Sequence, residues 1–140
     1  MMEPQLKSRK VKITRSLPSE PVMIMADRIR LEQVLINLLR NAIDATKDAA
    51  EPSIEILMTM GQSASITVRD NGPGIEDLES LFEPFYTTKA PGDGVGLGLA
   101  ISSGIVKDLG GRLYARNGRL GGAVFEVRLP LTDQNIKAAE

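Results

Sequence analysis

Apolar and polar positions alternate through KVKITRSL, residues 10–17, and predict a β-strand. The run SEPVMIMA, residues 19–26, predicts a short second one. Asp27 then stands where a helix N-cap belongs, and the period changes. From residue 28 to about residue 47, Leu31, Val34, Leu35, Leu38, Leu39, Ala42 and Ile43 recur every three or four positions. That spacing predicts a helix burying a broad face. Arg30, Gln33, Asn37, Asn41 and Asp44 fall on one narrow polar stripe of the same helix. SIEILMTMG (53–61) and ASITVRDNG (64–72) alternate again, are joined by GQS, and predict a hairpin. A short helix is expected over 76–81. YTTKAPGDG (86–94) is rich in breakers and reads as a loop. A second long helix is expected over 97–109. GRLYARNG and GAVFEVRLP make a last hairpin, and the polar residues 132–140 a frayed tail.

The order is strand, helix, two strands, loop, helix, two strands. It predicts an α+β fold, an α/β sandwich with helices on one face of a mixed, mostly antiparallel sheet. No internal repeat interrupts it. The 140 residues suffice for one domain with a real core.

Composition removes several chemistries. The formal net charge is -1, whereas dedicated nucleic-acid binders carry a basic surplus. The chain has no cysteine and no histidine. A disulfide framework, a thiolate nucleophile, a serine–histidine triad and a His-ligated zinc are excluded, and so is phosphorylation on a histidine of this chain. No apolar run approaches the ~20 residues of a membrane span. The opening MMEPQLKSRK lacks the apolar core of a signal peptide. A soluble, cytoplasmic domain is expected, and a soluble piece of a membrane protein would read the same way.

Four stretches carry candidate chemistry. In DGVGLGLAIS, Gly94, Gly96 and Gly98 open the second long helix, although each glycine inside a helix costs about 1 kcal/mol against alanine. A helix N-terminus offers unpaired N–H groups, and glycines let a phosphate approach them. A flexible turn would use the same residues. In RDNGPGI, Asp70 ends a strand and Gly72 and Gly74 bend the chain. That is a plain turn, or a carboxylate placed to accept a hydrogen bond from an amino group such as that of adenine. In NLLRNAIDA, Asn37 and Asn41 stand one turn apart, an odd choice for a solvated helix face because asparagine is a poor helix former. The Asn41 side-chain oxygen suits Mg²⁺, which keeps waters and substrate phosphates as its other ligands. In LFEPFYTTK, Phe82 and Phe85 suit a core, and Lys89 is either an exposed lysine or a cation for a phosphate.

Taken in this order, the four stretches resemble the ATP-binding catalytic domain of sensor histidine kinases. These belong to the superfamily that includes gyrase, the ninety-kilodalton heat-shock chaperone and a mismatch-repair ATPase. The resemblance runs from about residue 10 to residue 131. NLLRNAIDA looks like the family's N box, DNGPGI like its G1 box, LFEPFYTTK like its F box and GVGLGLAIS like its G2 box. FEPFYTTK is similar to the nitrogen-regulation and C4-dicarboxylate sensor branch. The resemblance implies a Bergerat-type ATP-binding fold with ATP and Mg²⁺ as cofactors. It places Asn41 on Mg²⁺ and Asn37 on the same wall. Asp70 would bind the adenine amino group, with Gly72, Gly74 and Ile75 shaping that pocket. Lys89 and the backbone of Gly94, Gly96, Leu97 and Gly98 would hold phosphates. Residues 85–95 would form a lid.

Two departures stand out. Ala123 replaces a threonine that many relatives carry near the adenine, and one hydrogen bond worth about 0.5–1.5 kcal/mol goes with it. The phosphate-accepting histidine of the family lies in a separate upstream domain. Residues 1–9 are therefore expected to be linker, residues 10–131 the catalytic domain and residues 132–140 a tail. The expected partners are the histidine-bearing dimerisation domain of the same parent protein and a response regulator, with no nucleic acid and a monomeric isolated domain. The parent is expected to be a membrane-anchored sensor. Hydrolysing members of the superfamily resemble one another in carrying a glutamate four residues before the Mg-binding asparagine. Here that residue is Asn37, which cannot take a proton at neutral pH. A stand-alone ATPase or ATP-gated clamp, a serine kinase that inhibits a sigma factor and a pure interaction module are the alternatives.

Overall fold

A computed structural model describes residues 12–16, 28–84 and 98–130. Five strands and two helices follow in the order β1 (Lys12–Ser16), α1 (Arg28–Ala45), β2 (Ser53–Met60), β3 (Ser63–Asp70), α2 (Gly98–Asp108), β4 (Arg112–Asn117) and β5 (Ala123–Pro130). The strands form one sheet in the order β1-β2-β3-β5-β4. β1 and β2 are parallel, which requires the crossover through α1, and every other pair is antiparallel. This is the mixed, mostly antiparallel sheet that the alternation predicts.

The period of two decides which side of the sheet is covered. Ala64, Ile66, Val68 and Asp70 of β3 are buried, and the residues between them are not. α1 packs on β3, α2 on β4, and the helices pack on each other. Between helices and sheet lies one core, which includes Val34, Leu38 and Ile43 of α1, Val106 of α2 and Ile54, Val68, Phe125 and Val127 of the sheet. Leu38, Ile43 and Val106 have no exposed surface, and each contributes about 1.5–3 kcal/mol by its burial.

The opposite face is polar and is stitched by its own side chains. The Arg69–Glu55 pair (3.6 Å) and the Arg128–Glu126 pair bridge along it. The Arg128 guanidinium lies 4.4 Å from the centre of the Tyr114 ring. These exposed contacts contribute little each.

α2 stops in a Schellman motif. Gly111 N–H donates to Val106 C=O (2.9 Å), Gly110 N–H donates to Lys107 C=O (3.0 Å), and Gly110 has φ +85°. The helix expected over 76–81 does not form. Asp77 Oδ1 accepts from Ser80 N–H (3.2 Å), as a cap would, but the following turn closes only one bond, Glu83 N–H to Ser80 C=O (3.0 Å). Gly74 and Pro84 leave too few residues between them to propagate a helix. Leu81 is buried and Phe82 packs against the core, so the apolar part of that expectation holds. The expected strand over 19–26, the Asp27 cap and Phe85 lie outside the described residues.

Candidate nucleotide site

Asp70 is the last residue of β3 and points to the helix side of the sheet, with 5 % of its surface exposed. Its Oδ1 accepts two backbone hydrogen bonds, from Gly72 N–H (2.9 Å) and from Ala123 N–H (3.2 Å), and neither uses Oδ2. Burial raises the carboxyl pKa above the ordinary aspartate range, and the two N–H groups partly offset it. Ala123 therefore reaches Asp70 through its backbone, which the missing threonine hydroxyl does not affect.

The loop that follows is fixed on every side. A Cβ on Gly72 would lie 2.4 Å from the Ala45 carbonyl oxygen at the end of α1, so only glycine lets the loop approach that helix. Asn71 Oδ1 accepts from Ser53 N–H (3.0 Å) and its Nδ2 donates to Glu51 C=O (2.8 Å), which ties the loop to the start of β2. Asn117, at the end of β4, makes the same kind of bracket with both backbone groups of Ile75. Gly122 (φ +78°) leaves no room for a Cβ, which would lie 1.9 Å from the Asp70 carbonyl oxygen. Asp70, Gly72, Gly74 and Ile75 are thus brought together at one end of the sheet.

The polar stripe of α1 divides into two parts. In its first half Arg30 and Asn37 bond across to α2, while Gln33 between them is exposed. Arg30 pairs with Asp108 (2.9 Å). Two turns on, Asn37 Nδ2 donates to Gly98 C=O (2.9 Å) and to Ser102 Oγ (3.0 Å). The two helices therefore run antiparallel, and Asn37 holds the first turn of α2. A Cβ on Gly98 would lie 3.1 Å from Asn37 Oδ1, so this glycine permits the close contact. The first turn of α2 carries no acidic residue, as suits an anion near its N–H groups. Asn41 lies one turn beyond Asn37, half-buried, and its side chain makes no hydrogen bond to another described residue. Arg40 is exposed. Lys89, Gly94, Gly96 and Leu97, and the lid expected over 85–95, lie outside the described residues.

A cleft of about 790 Å³ is lined by Glu55, Arg69, Arg116, Arg119 and Leu120, among others. It borders Asp70 and Asn71 but includes none of Asn37, Asn41, Gly72, Gly74 or Gly98. It lies at the end of the sheet, where Ile54, Asp70 and Asn71 meet the turn over 118–121, and neither helix lines it.

Sequence reasoning missed Asn71, Ser102 and Asn117. The only signal for the first and last was their place beside glycine, in DNG and NG.

The chain thus carries an asparagine-bearing helix, a buried carboxylate at a strand end and a glycine at the start of a second helix. The sequence model of the histidine kinase-, DNA gyrase B-, and HSP90-like ATPases matches residues 26–133. The chain belongs to that family. It is a nucleotide-binding catalytic domain of the histidine kinase kind. It is 39 % identical over 133 residues to the C4-dicarboxylate transport sensor protein DctB of Pseudomonas aeruginosa, covering 92 % of this chain and 22 % of that one. It therefore spans about a fifth of the length of this curated relative. Among solved structures, the nucleotide-free catalytic domain of histidine kinase ThkA superposes with a TM-score of 0.81 at 34 % identity, covering 94 % of this chain and 87 % of that one. ThkA has also been solved in complex with the response regulator TrrA (TM-score 0.78, 32 % identity, 95 % of this chain and 38 % of that one).

Proposed function

We propose that this chain binds Mg-ATP and donates the γ-phosphate to a histidine carried on a separate dimerisation domain of a two-component sensor kinase. The observation that carries the reading is the state of Asn37. It occupies the position where hydrolysing relatives resemble one another in bearing a glutamate, and its amide is committed as a donor to Gly98 and Ser102. Such a group positions α2 and does not deprotonate water. Glu32 and Gln33 are exposed on the same helix and replace no base.

Asp70 would take the adenine amino group on its carboxylate, and the fixed 70–75 loop would set the plane of the base. Among the described residues no cluster of three or more acidic side chains forms a metal cage. Mg²⁺ would need one or two protein oxygens beside phosphates and water. Asn41 would supply its oxygen, and the ion would neutralise charge on the phosphates. Lys89 and the backbone of residues 94–98 would complete the phosphate cradle. The chain's task is then positioning and charge balance. The attacking imidazole nitrogen comes from the other domain, a P–N bond forms as the bond to the β-phosphate oxygen breaks, and ADP leaves.

A response regulator would receive the phosphate afterwards, as the ThkA–TrrA complex suggests by analogy. No described helix is long and apolar enough to cross a membrane. A cytosolic place in a membrane-anchored sensor is the reading that fits DctB-like relatives, and the isolated chain would be a monomer.

The test is to mix this chain with the histidine-bearing domain of its parent protein and γ-labelled Mg-ATP. Acid-labile, base-stable label on that domain is expected. An unlabelled domain while ATP is demonstrably bound would end the kinase reading.

A further inference from the structure

We propose that Asn117 is a positioning residue that gives this site its preference for adenine over guanine. The inference rests on the reading that Asp70 meets the base. Asn117 closes β4, opposite Ala123 of β5. Its Oδ1 accepts from Ile75 N–H (2.6 Å) and its Nδ2 donates to Ile75 C=O (3.1 Å). This is the pattern a neighbouring strand would present to Ile75. One side chain therefore extends the sheet by one residue and pins the loop across 42 positions of sequence. Gly74 is matched to it: φ is +90°, and a Cβ there would lie 2.8 Å from Asn117 Oδ1.

The consequence reaches Asp70 along two routes. Within the loop, Ile75 and Gly74 lead back to Gly72, whose N–H binds Asp70 Oδ1. Across the sheet, the residue paired with Asn117 is Ala123, whose N–H binds the same oxygen. The Asn117 side chain thus braces the loop that carries the Gly72 donor, while its backbone pairs with the residue that carries the other. An oriented carboxylate discriminates bases by hydrogen-bond polarity. Adenine presents an amino donor at the position where guanine presents a carbonyl acceptor. A carboxylate held against that position rewards the first and repels the second, and one that can turn away does neither.

The experiment is calorimetric titration of the 140-residue chain with Mg-ATP and with Mg-GTP, for wild type, Asn117→Ala and Asn117→Asp. The wild type is expected to prefer ATP. Asn117→Ala is expected to weaken ATP about tenfold (about 1.4 kcal/mol) while GTP binding holds or tightens, so the preference falls at least about tenfold. Asn117→Asp keeps the acceptor for Ile75 N–H, and its preference should lie between the two. It also serves if the alanine variant fails to fold. Equal loss for both nucleotides in the variants would show a merely structural role and overturn the proposal, as would an unchanged ratio. If the wild type binds ATP without preferring it to GTP, the proposal fails while the nucleotide site stands. If the wild type binds neither, the site reading falls and takes this inference with it.

Discussion

At the 70–75 loop, strand ends, a helix end and two asparagine brackets converge on six residues. At the first turn of α2, the described structure offers one side chain, Asn37, bonded to Gly98 and Ser102. The first region is held by backbone N–H groups of β2 and β5, the Asn117 side chain of β4 and a close approach to the end of α1, and each hydrogen bond there is backed by another. Among the described residues, the second is held by the Asn37 seam between two helices and by Leu99 against the core. The contrast fits what each end would have to do. A base pocket selects by shape and polarity and gains from rigidity. A phosphate end must admit a charged tail and let a product go, so it gains from being held by few contacts.

The sharpest way to break the comparison is to attack the rigid end where it has no slack. Gly122→Ala puts a Cβ against the Asp70 carbonyl in a left-handed conformation. It is expected to cost about 3 kcal/mol of stability, measured by urea denaturation, and to abolish ATP binding with it.

Asp70→Asn separates stability from binding at the same end. The isosteric amide keeps an oxygen for the Gly72 and Ala123 N–H groups but loses the charge. ATP affinity should fall about 10- to 100-fold, the range for a hydrogen bond to a charged group. Stability at neutral pH should hold or rise, because burial penalises the ionised carboxylate. The sign follows from linkage. A folded-state pKa above the unfolded value means the native state holds its proton longer. The contribution of Asp70 is therefore fully present below the ordinary aspartate pKa and is lost as pH rises through the raised value. The wild type should show this falling component in its pH–stability profile, and the asparagine variant should lack it.

Asn37→Ala probes the single seam. Two hydrogen bonds are lost at a half-buried site, and stability should fall by about 1–2 kcal/mol. ATP affinity should fall while adenosine affinity stays the same, because only the phosphate end is loosened. Equal losses for both ligands would show that the two ends are one mechanical unit. The smallest effect belongs to Arg30→Ala, which removes the exposed pair with Asp108 at the far end of the same seam. Its cost should be below about 1 kcal/mol and vanish in high salt.

The apolar periods made the strands and helices legible because burial writes them directly into local spacing. α1, α2 and both hairpins follow from the positions of Leu, Ile and Val. The parallel partnership of β1 and β2 does not, since nothing local to either strand says which neighbour it takes. The expected helix over 76–81 failed because two helix breakers bracket it and tertiary burial of Leu81 needs only a turn. Asp70 was readable as a carboxylate at a strand end, but one of its two donors, Ala123 N–H, arrives from β5, 53 residues away. In the sequence the polar residues of α1 form one narrow stripe. The fold bonds Arg30 and Asn37 to α2 and leaves Gln33 exposed and Asn41 half-buried. Asn71 and Asn117 read as ordinary turn residues because their bonding partners exist only once the sheet is assembled.

The most direct test of the account is calorimetric titration of this chain with Mg-ATP. A saturable isotherm that returns to baseline after every injection is the expected result, a competent nucleotide site that orients ATP and leaves water inert. Heat that persists between injections would mean hydrolysis without a partner and would contradict the role given to Asn37, while a flat trace would contradict the site itself.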